Sequence, residues 1–277
     1  MQRESYPLNK IHGYELSTES FISYLDTLLQ AQSSEELLAL GIKENRFDVI
    51  KPGTLILQRL LKRMQVLKIM TSGVGVREGV YLADLLRNNK HKFPHNYNTS
   101  VKYLLDAHVQ DKSFSTQLTT LSKKLFDLTS QYFGLDTRFR YELGLAAKLY
   151  PTGSSLHFFS QNKHSYYLIQ NALEYGFSHK SITLIATLSK YAKNKLPAHS
   201  HLEKYKVLLP EPKTTEALSY LLSLSISLLS HRPRNIDFDL VFNDGILQVN
   251  SQNTLYITKD AVEKLALPSK IFQVSFN

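Results

Sequence analysis

The chain has 277 residues, 43% hydrophobic and 21% charged, a balance that fits a globular protein with two or three compact units. It contains no cysteine, which excludes disulfides, thiolate catalysis and cysteine-ligated metal. Thirty-three Lys and Arg against 24 Asp and Glu leave a formal charge of +9, a surplus that favours polyanionic partners such as nucleotides, polyphosphate, nucleic acid or an anionic membrane.

Taken from the start, "QRESYPLNK" lacks the apolar core of a signal peptide, and a cytoplasmic location is expected. Between Leu16 and about Leu40 the apolar residues Phe21, Tyr24, Leu25, Leu28 and Leu29 recur at helical spacing, with Ser17 or Thr18 as the helix start. The segment "VIKPGTLILQRLLKRM" predicts a second helix, with Pro52 and Gly53 in its first turn. "VLKIMT" (66–71) reads as a buried strand, and "TSGVGVREGVYLADLL" (71–86) as a glycine turn leading into a further helix. The order helix, strand, glycine turn, helix suits a mixed α/β domain.

After the polar "RNNKHKFPHNYN" the chain reads as almost wholly helical from Thr99 to about Pro197, with turns at "FGLDT", "PTGSS" and "EYGFS". "ALSYLLSLSISLLS" (217–230) is short of the roughly 20 apolar residues of a membrane span and reads as a helix buried on most sides. The tail predicts a hairpin, "FDLVFNDG" and "ILQVN", turning at Asp-Gly. "TLYIT" and "IFQVSF" read as further strands around a short helix near 261–267.

Several residues invite a chemical reading, each with a bland alternative. The turn glycines Gly73, Gly75 and Gly79 suit an anion cradle of backbone N–H groups, or a tight turn at positive φ with no ligand. His91 and His95 are four apart but flank Pro94, while His199 and His201 fall in a polar loop; surface or hydrogen-bonded histidine explains them without metal. His164, beside Ser165, opens an amphipathic helix and suits a structural hydrogen bond. Lys190, Lys193 and Lys195 form either a basic patch or a solvated helix face.

Four segments in consistent order resemble the exopolyphosphatase / guanosine pentaphosphate phosphohydrolase (Ppx/GppA) family. "NRFDVIKPGTLILQRLLK" is similar to its Arg-Ala-Asp-Val-Ile…Gly helix, and "TSGVGVREG" to its Ser-x-x-Gly-Leu-Arg-Glu-Gly turn. "NKHSYYLIQ" is similar to its Lys-His-Ser-x-x-Leu-Ile segment, and "SKYAKNKLP" to its Tyr-His-Arg-Lys stretch. The resemblance implies an α+β, mainly α chain. Residues 1–95 would be the C-terminal part of the second actin-like (ribonuclease H-like) domain, 96–210 a helical HD-like domain, and 211–277 a helix with a small sheet.

It also implies hydrolysis of terminal phosphoanhydrides of polyphosphate or guanosine pentaphosphate by water, with Mg²⁺ in the complete enzyme and a homodimeric assembly. The family's Asp-x-Gly-x-Gly-Ser loop and catalytic Glu have no counterpart here, so the chain is expected to be a C-terminal portion, non-catalytic and binding no metal itself. Aligned on the HD ligands, Phe114, Tyr150 and Pro151 replace the His and the His-Asp pair, and Ala192 replaces a later His. Substrate phosphate is expected at Arg46, Ser72, Gly73, Gly75, Lys193 and Lys195. Asp48, Gly53, Arg77, Glu78, Gly79, His164 and Ser165 are expected to be structural, with Arg77 and Glu78 pairing or capping. The alternative is a stand-alone basic binding or regulatory module without hydrolase chemistry; neither a membrane nor nucleic acid is the expected partner.

Overall fold

The computed structural model describes residues 6–94 and 97–277. The chain divides into two compact units, Lys10–Tyr81 and Met1–Asn9 with Leu82–Asn277.

In the first unit, strand β1 (Glu15–Ser17) pairs antiparallel with β2 (Lys68–Met70), Glu15 opposite Met70. Ser17 then caps helix α1 (Thr18–Gln30), its Oγ accepting the Ser20 N–H at 3.2 Å. Ser33 caps the short α2 (Ser34–Ala39) in the same way. Helix α3 (Phe47–Arg63) packs against α1, and a small core forms from Leu28, Ala31 and Leu37 with Tyr24, Phe47 and Ile50 around it.

Two expectations fail in this unit. α3 begins at Phe47, so Pro52 lies inside the helix rather than in its first turn. Proline lacks an N–H and its ring crowds the carbonyl four residues back, and one lost ladder bond is tolerated in a helix of four to five turns. The stretch read as a buried strand is a three-residue strand with Lys68 and Met70 exposed. Apolar, β-branched composition indicates a strand but not how many neighbours cover it.

Helix α4 (Val76–Leu85) crosses the boundary between the units. The second unit is built on α5 (Thr99–His108), α6 (Lys112–Phe133), α7 (Phe139–Leu149), α8 (Gln161–Ala172), α9 (His179–Lys190), α10 (His199–Lys204) and α11 (Pro212–Leu228). A 3₁₀ segment, Tyr150–Ser155, joins α7 to α8. Asn98, Asp111 and Ser178 cap α5, α6 and α9 through side-chain oxygens. Gly134, at φ 68°, ends α6, and the Leu135 N–H returns to Ser130 O at 2.8 Å.

α11 runs through the centre of this unit, with Leu218, Leu221, Leu222, Leu224 and Leu228 fully buried. Two of its serines bond back within the helix, Ser223 donating to Ser219 O and Ser225 to Leu221 O. Among the described residues no helix is long and apolar enough to cross a membrane.

Residues 211–277 contribute to the same core. β3 (Phe238–Asn243) and β4 (Ile246–Ser251) form the expected hairpin around Asp244 and Gly245, both at positive φ, as a type I′ turn requires. Phe238, Leu240, Leu247 and Val249 enter this core, with β3 packed against α6. β5 (Gln273–Phe276) pairs parallel to β4. The third predicted strand, "TLYIT", is instead the start of α12 (Tyr256–Glu263), the crossover that a parallel pair requires.

Candidate functional site

In the smaller unit the glycine turn follows β2 directly, and its N–H groups are already engaged. Gly73 N–H donates to His12 Nδ1 at 3.0 Å, Val74 N–H to Ser72 Oγ at 3.1 Å, and Gly75 N–H to Glu78 Oε2 at 3.0 Å. Glu78 lies in the first turn of α4, where its carboxylate also meets the positive end of the helix dipole. Gly73, Gly75 and Gly79 are absent from the positive-φ residues, so the expectation of left-handed glycines here is corrected. Proximity takes its place. A Cβ on Gly73 would lie 3.2 Å from His12 Cβ, and one on Gly75 would lie 3.0 Å from the Glu78 carboxylate. Gly79 sits within α4 with nothing near its missing side chain.

Arg46 occupies the N-cap position of α3, exposed, with Asp48 in the first turn and Gly53 further along, both exposed. Its guanidinium has no partner among the described residues. Arg77 is likewise exposed on α4.

In the larger unit the "KHS" segment opens α8. Ser165 Oγ accepts the Gly153 N–H at 3.0 Å and lies 2.6 Å from Tyr150 O and 2.9 Å from Gln161 O, so its single proton serves one carbonyl at a time. His164, next to it, is half-buried, and no hydrogen bond from its ring joins this knot. Tyr150 is buried, which pushes its hydroxyl up to about 12. Phe114 is buried below Arg232, whose guanidinium carbon sits 3.5 Å above the ring centroid. Ala192 is fully buried.

Among the described residues no three His, Asp or Glu side chains gather closely enough to hold a metal ion. The side chains of Phe114, Tyr150 and Ala192 do not fit a divalent cation.

Lys193 and Lys195 are exposed beyond α9, but Lys190 does not share their surface. It is half-buried, its Nζ 3.1 Å from His201 Nδ1 and 4.8 and 5.4 Å from the ring centroids of Tyr166 and Tyr191. Burial lowers its pKa. His201 was expected in a polar loop; it lies in α10, 6% exposed, with Nε2 2.9 Å from Thr187 Oγ1. Burial first, then Lys190 and Lys204, lower its pKa to about 4. Lys190 can only donate, so Nδ1 accepts and Nε2 carries the proton toward Thr187. Tyr166 and Tyr205 share a hydrogen bond of 2.9 Å, and Gln170 donates to Tyr205 at 3.1 Å.

Sequence reasoning missed this cluster. Its signal was the helical stripe of His201, Leu202, Tyr205 and Leu208, hidden between short polar stretches. His91 lies in the turn after α4 with its Nδ1 2.6 Å from Ala83 O, and His95 lies outside the described residues.

The ordered turn and the serine-centred knot each lie in a segment that matches a family model. The Ppx/GppA phosphatase family matches residues 1–88, and the model of domain III of the Ppx/GppA phosphatases matches residues 97–267. The chain belongs to the Ppx/GppA phosphatase family, a family of phosphoanhydride hydrolases.

Proposed function

We propose that this chain supplies phosphate-chain binding and subunit contacts to a hydrolase acting on terminal phosphoanhydrides of polyphosphate or guanosine pentaphosphate, and that taken alone it does not hydrolyse them. The observation that carries this reading is the state of the glycine turn. Its successive N–H groups are held by His12, Ser72 and Glu78, and Glu78, the carboxylate nearest the turn, is used as a cap. A general base must be free to take a proton from water within hydrogen-bond reach of the reacting group. A carboxylate already accepting a turn N–H at a helix start is poorly placed for that task.

The substrate-facing role falls instead to exposed cations. Arg46 suits phosphate because its planar fork matches two oxygens at once. Lys193 and Lys195 add point charges that attract a polyanion without fixing its orientation. Ser72, Gly73 and Gly75 belong to the same proposal only if ligand phosphate displaces the side chains that now hold the turn.

The test is phosphate release from long polyphosphate and from guanosine pentaphosphate by the purified chain with Mg²⁺ added. The expected result is no release above the buffer control. Turnover that survives repurification would overturn the reading. A stand-alone basic binding module is favoured by the +9 charge alone; it would bind polyphosphate equally well and gain no activity when the remainder of a family enzyme is added.

A further inference from the structure

The larger unit carries a cavity of about 760 Å³ between α5, α6 and α7, within the range of small-molecule sites. The turn of three helices makes it basic. Lys102 comes from α5, Lys112 and Lys123 from α6, and Lys148 from α7. One carboxylate faces them. Asp106 takes Lys112 at 2.8 Å and Lys102 as well, and these two lysines, Lys102 first, hold it at about 2.

Lys123 and Lys148 are different. Both are half-buried and neither has an acidic partner among the described residues. Lys123 reaches the cavity by lying across Gly144, where an added Cβ would overlap its Cε and come within 3.2 Å of its Cγ. Lys148 stands one helical turn beyond Gly144 on the same face of α7. No carboxylate among the described residues neutralises either ammonium group, and an anion in the cavity would supply the missing counter-charge.

The walls also carry two aromatic rings, and both are accessible. Tyr97 is 41% exposed and stacks one face on Phe93, at 5.5 Å between centroids and 11° between planes. Tyr141 is 58% exposed and lies near-parallel to Phe177 at 6.4 Å. Each ring therefore has one aromatic neighbour and a large exposed area.

We infer that this cavity binds a nucleoside di- or triphosphate, its phosphates on Lys123 and Lys148 and its base against Tyr141. An inorganic phosphate chain satisfies the lysines but gives the rings nothing to stack on; a nucleotide uses both. Base–aromatic stacking is tolerant of base identity, so adenine and guanine nucleotides are both expected to enter. The inference stands apart from the hydrolytic reading. Every residue in it belongs to the larger unit, and failure of Arg46 to bind polyphosphate leaves it untouched.

Titration calorimetry of the full chain with ATP, GTP, tripolyphosphate and inorganic phosphate at low salt tests it. ATP or GTP is expected to bind at least several-fold more tightly than tripolyphosphate, and phosphate weakest. Lys123→Gln combined with Lys148→Gln is expected to weaken nucleotide at least tenfold with an unchanged circular dichroism spectrum. Gly144→Ala, which displaces only the flexible lysine, is expected to cost several-fold. Tyr141→Leu, an exposed change that leaves the core intact, is expected to bring ATP down to the level of tripolyphosphate. Absence of nucleotide binding, equal affinity for ATP and tripolyphosphate in the native chain, or binding indifferent to all three variants would overturn the inference.

Discussion

Gly153 and Ser165 meet so closely that a methyl group has no place between them. A Cβ built on Gly153 would lie 2.5 Å from the Ser165 nitrogen and 2.6 Å from its hydroxyl, and would overlap Gln161 O. Two of these three atoms are backbone and cannot swing aside. The glycine is therefore fixed by the approach of the 3₁₀ segment to α8, and its φ is not left-handed. Gly153→Ala is expected to destabilise the protein by about 3 kcal/mol, the scale of overpacking a rigid core. Ser165→Ala leaves Gly153 N–H without its buried acceptor and is expected to cost about 2 kcal/mol. Urea denaturation followed by circular dichroism reads both, and a wild-type midpoint for Gly153→Ala would contradict the close approach.

The buried His201 makes stability depend on acid. Its folded pKa is about 4 against an ordinary 6.5. Above pH 6.5 both folded and unfolded states keep it neutral, and it costs nothing. Between pH 6.5 and 4 the unfolded chain binds a proton that the native chain refuses, so stability falls as pH falls and the loss is complete near pH 4. With some allowance for water reaching the ring, the loss is about 2 kcal/mol. A proton on Nδ1 would also face Lys190 Nζ. His201→Gln keeps a polar group for Thr187 without a titrating site, and it is expected to flatten the slope of midpoint against pH in this window. An unchanged slope would show that other groups carry it.

Phosphate-chain binding is expected to follow salt. The Debye length shortens from about 30 Å at 0.01 M to about 8 Å at 0.15 M, so exposed contacts fade first. Arg46→Ala is expected to cost about 1.5–3 kcal/mol of polyphosphate affinity, the scale of a charge-assisted hydrogen bond. Lys193→Ala with Lys195→Ala is expected to cost less and to reduce the salt dependence. Filter binding at two salt concentrations separates the pairs; equal binding by all three proteins at both would exclude an electrostatic path.

Metal content offers a separate check on the larger unit. With Phe114 under Arg232 and Tyr150 buried, stoichiometric Mn, Fe or Zn is not expected to copurify. Elemental analysis giving one such metal per chain would show that ligands are drawn from residues other than these.

Helical stripes were legible because burial on one face writes itself into spacing, and α6, α7, α9 and α11 all fall where their apolar residues place them. The Asp-Gly hairpin was legible because its turn chemistry is local. What failed depended on partners distant in sequence. "TLYIT" has strand-like residues, yet the crossover between β4 and β5 makes its second half helical. Ile69 looks like core residue material, yet only β1 pairs with its strand among the described residues. The turn glycines suggested an open cradle, and only three dimensions reveal that His12, some sixty residues earlier, fills one of its N–H positions. Gly144 gave no sequence signal at all, because its role is to clear a path for Lys123 on another helix.

The unequal cores of the two units bear on how this protein can be watched as it melts. Lys10–Tyr81 rests on Leu28, Ala31 and Leu37, while the larger unit buries α11 and much of six other helices. Units so different need not lose structure at one temperature, and a single melting point then has no defined meaning. The chain has no tryptophan, and of its 16 tyrosines only Tyr14, Tyr24 and Tyr81 lie in the smaller unit. Intrinsic emission therefore comes mostly from the larger unit, with 13 of the 16 tyrosines, and loss of the smaller one would register only weakly.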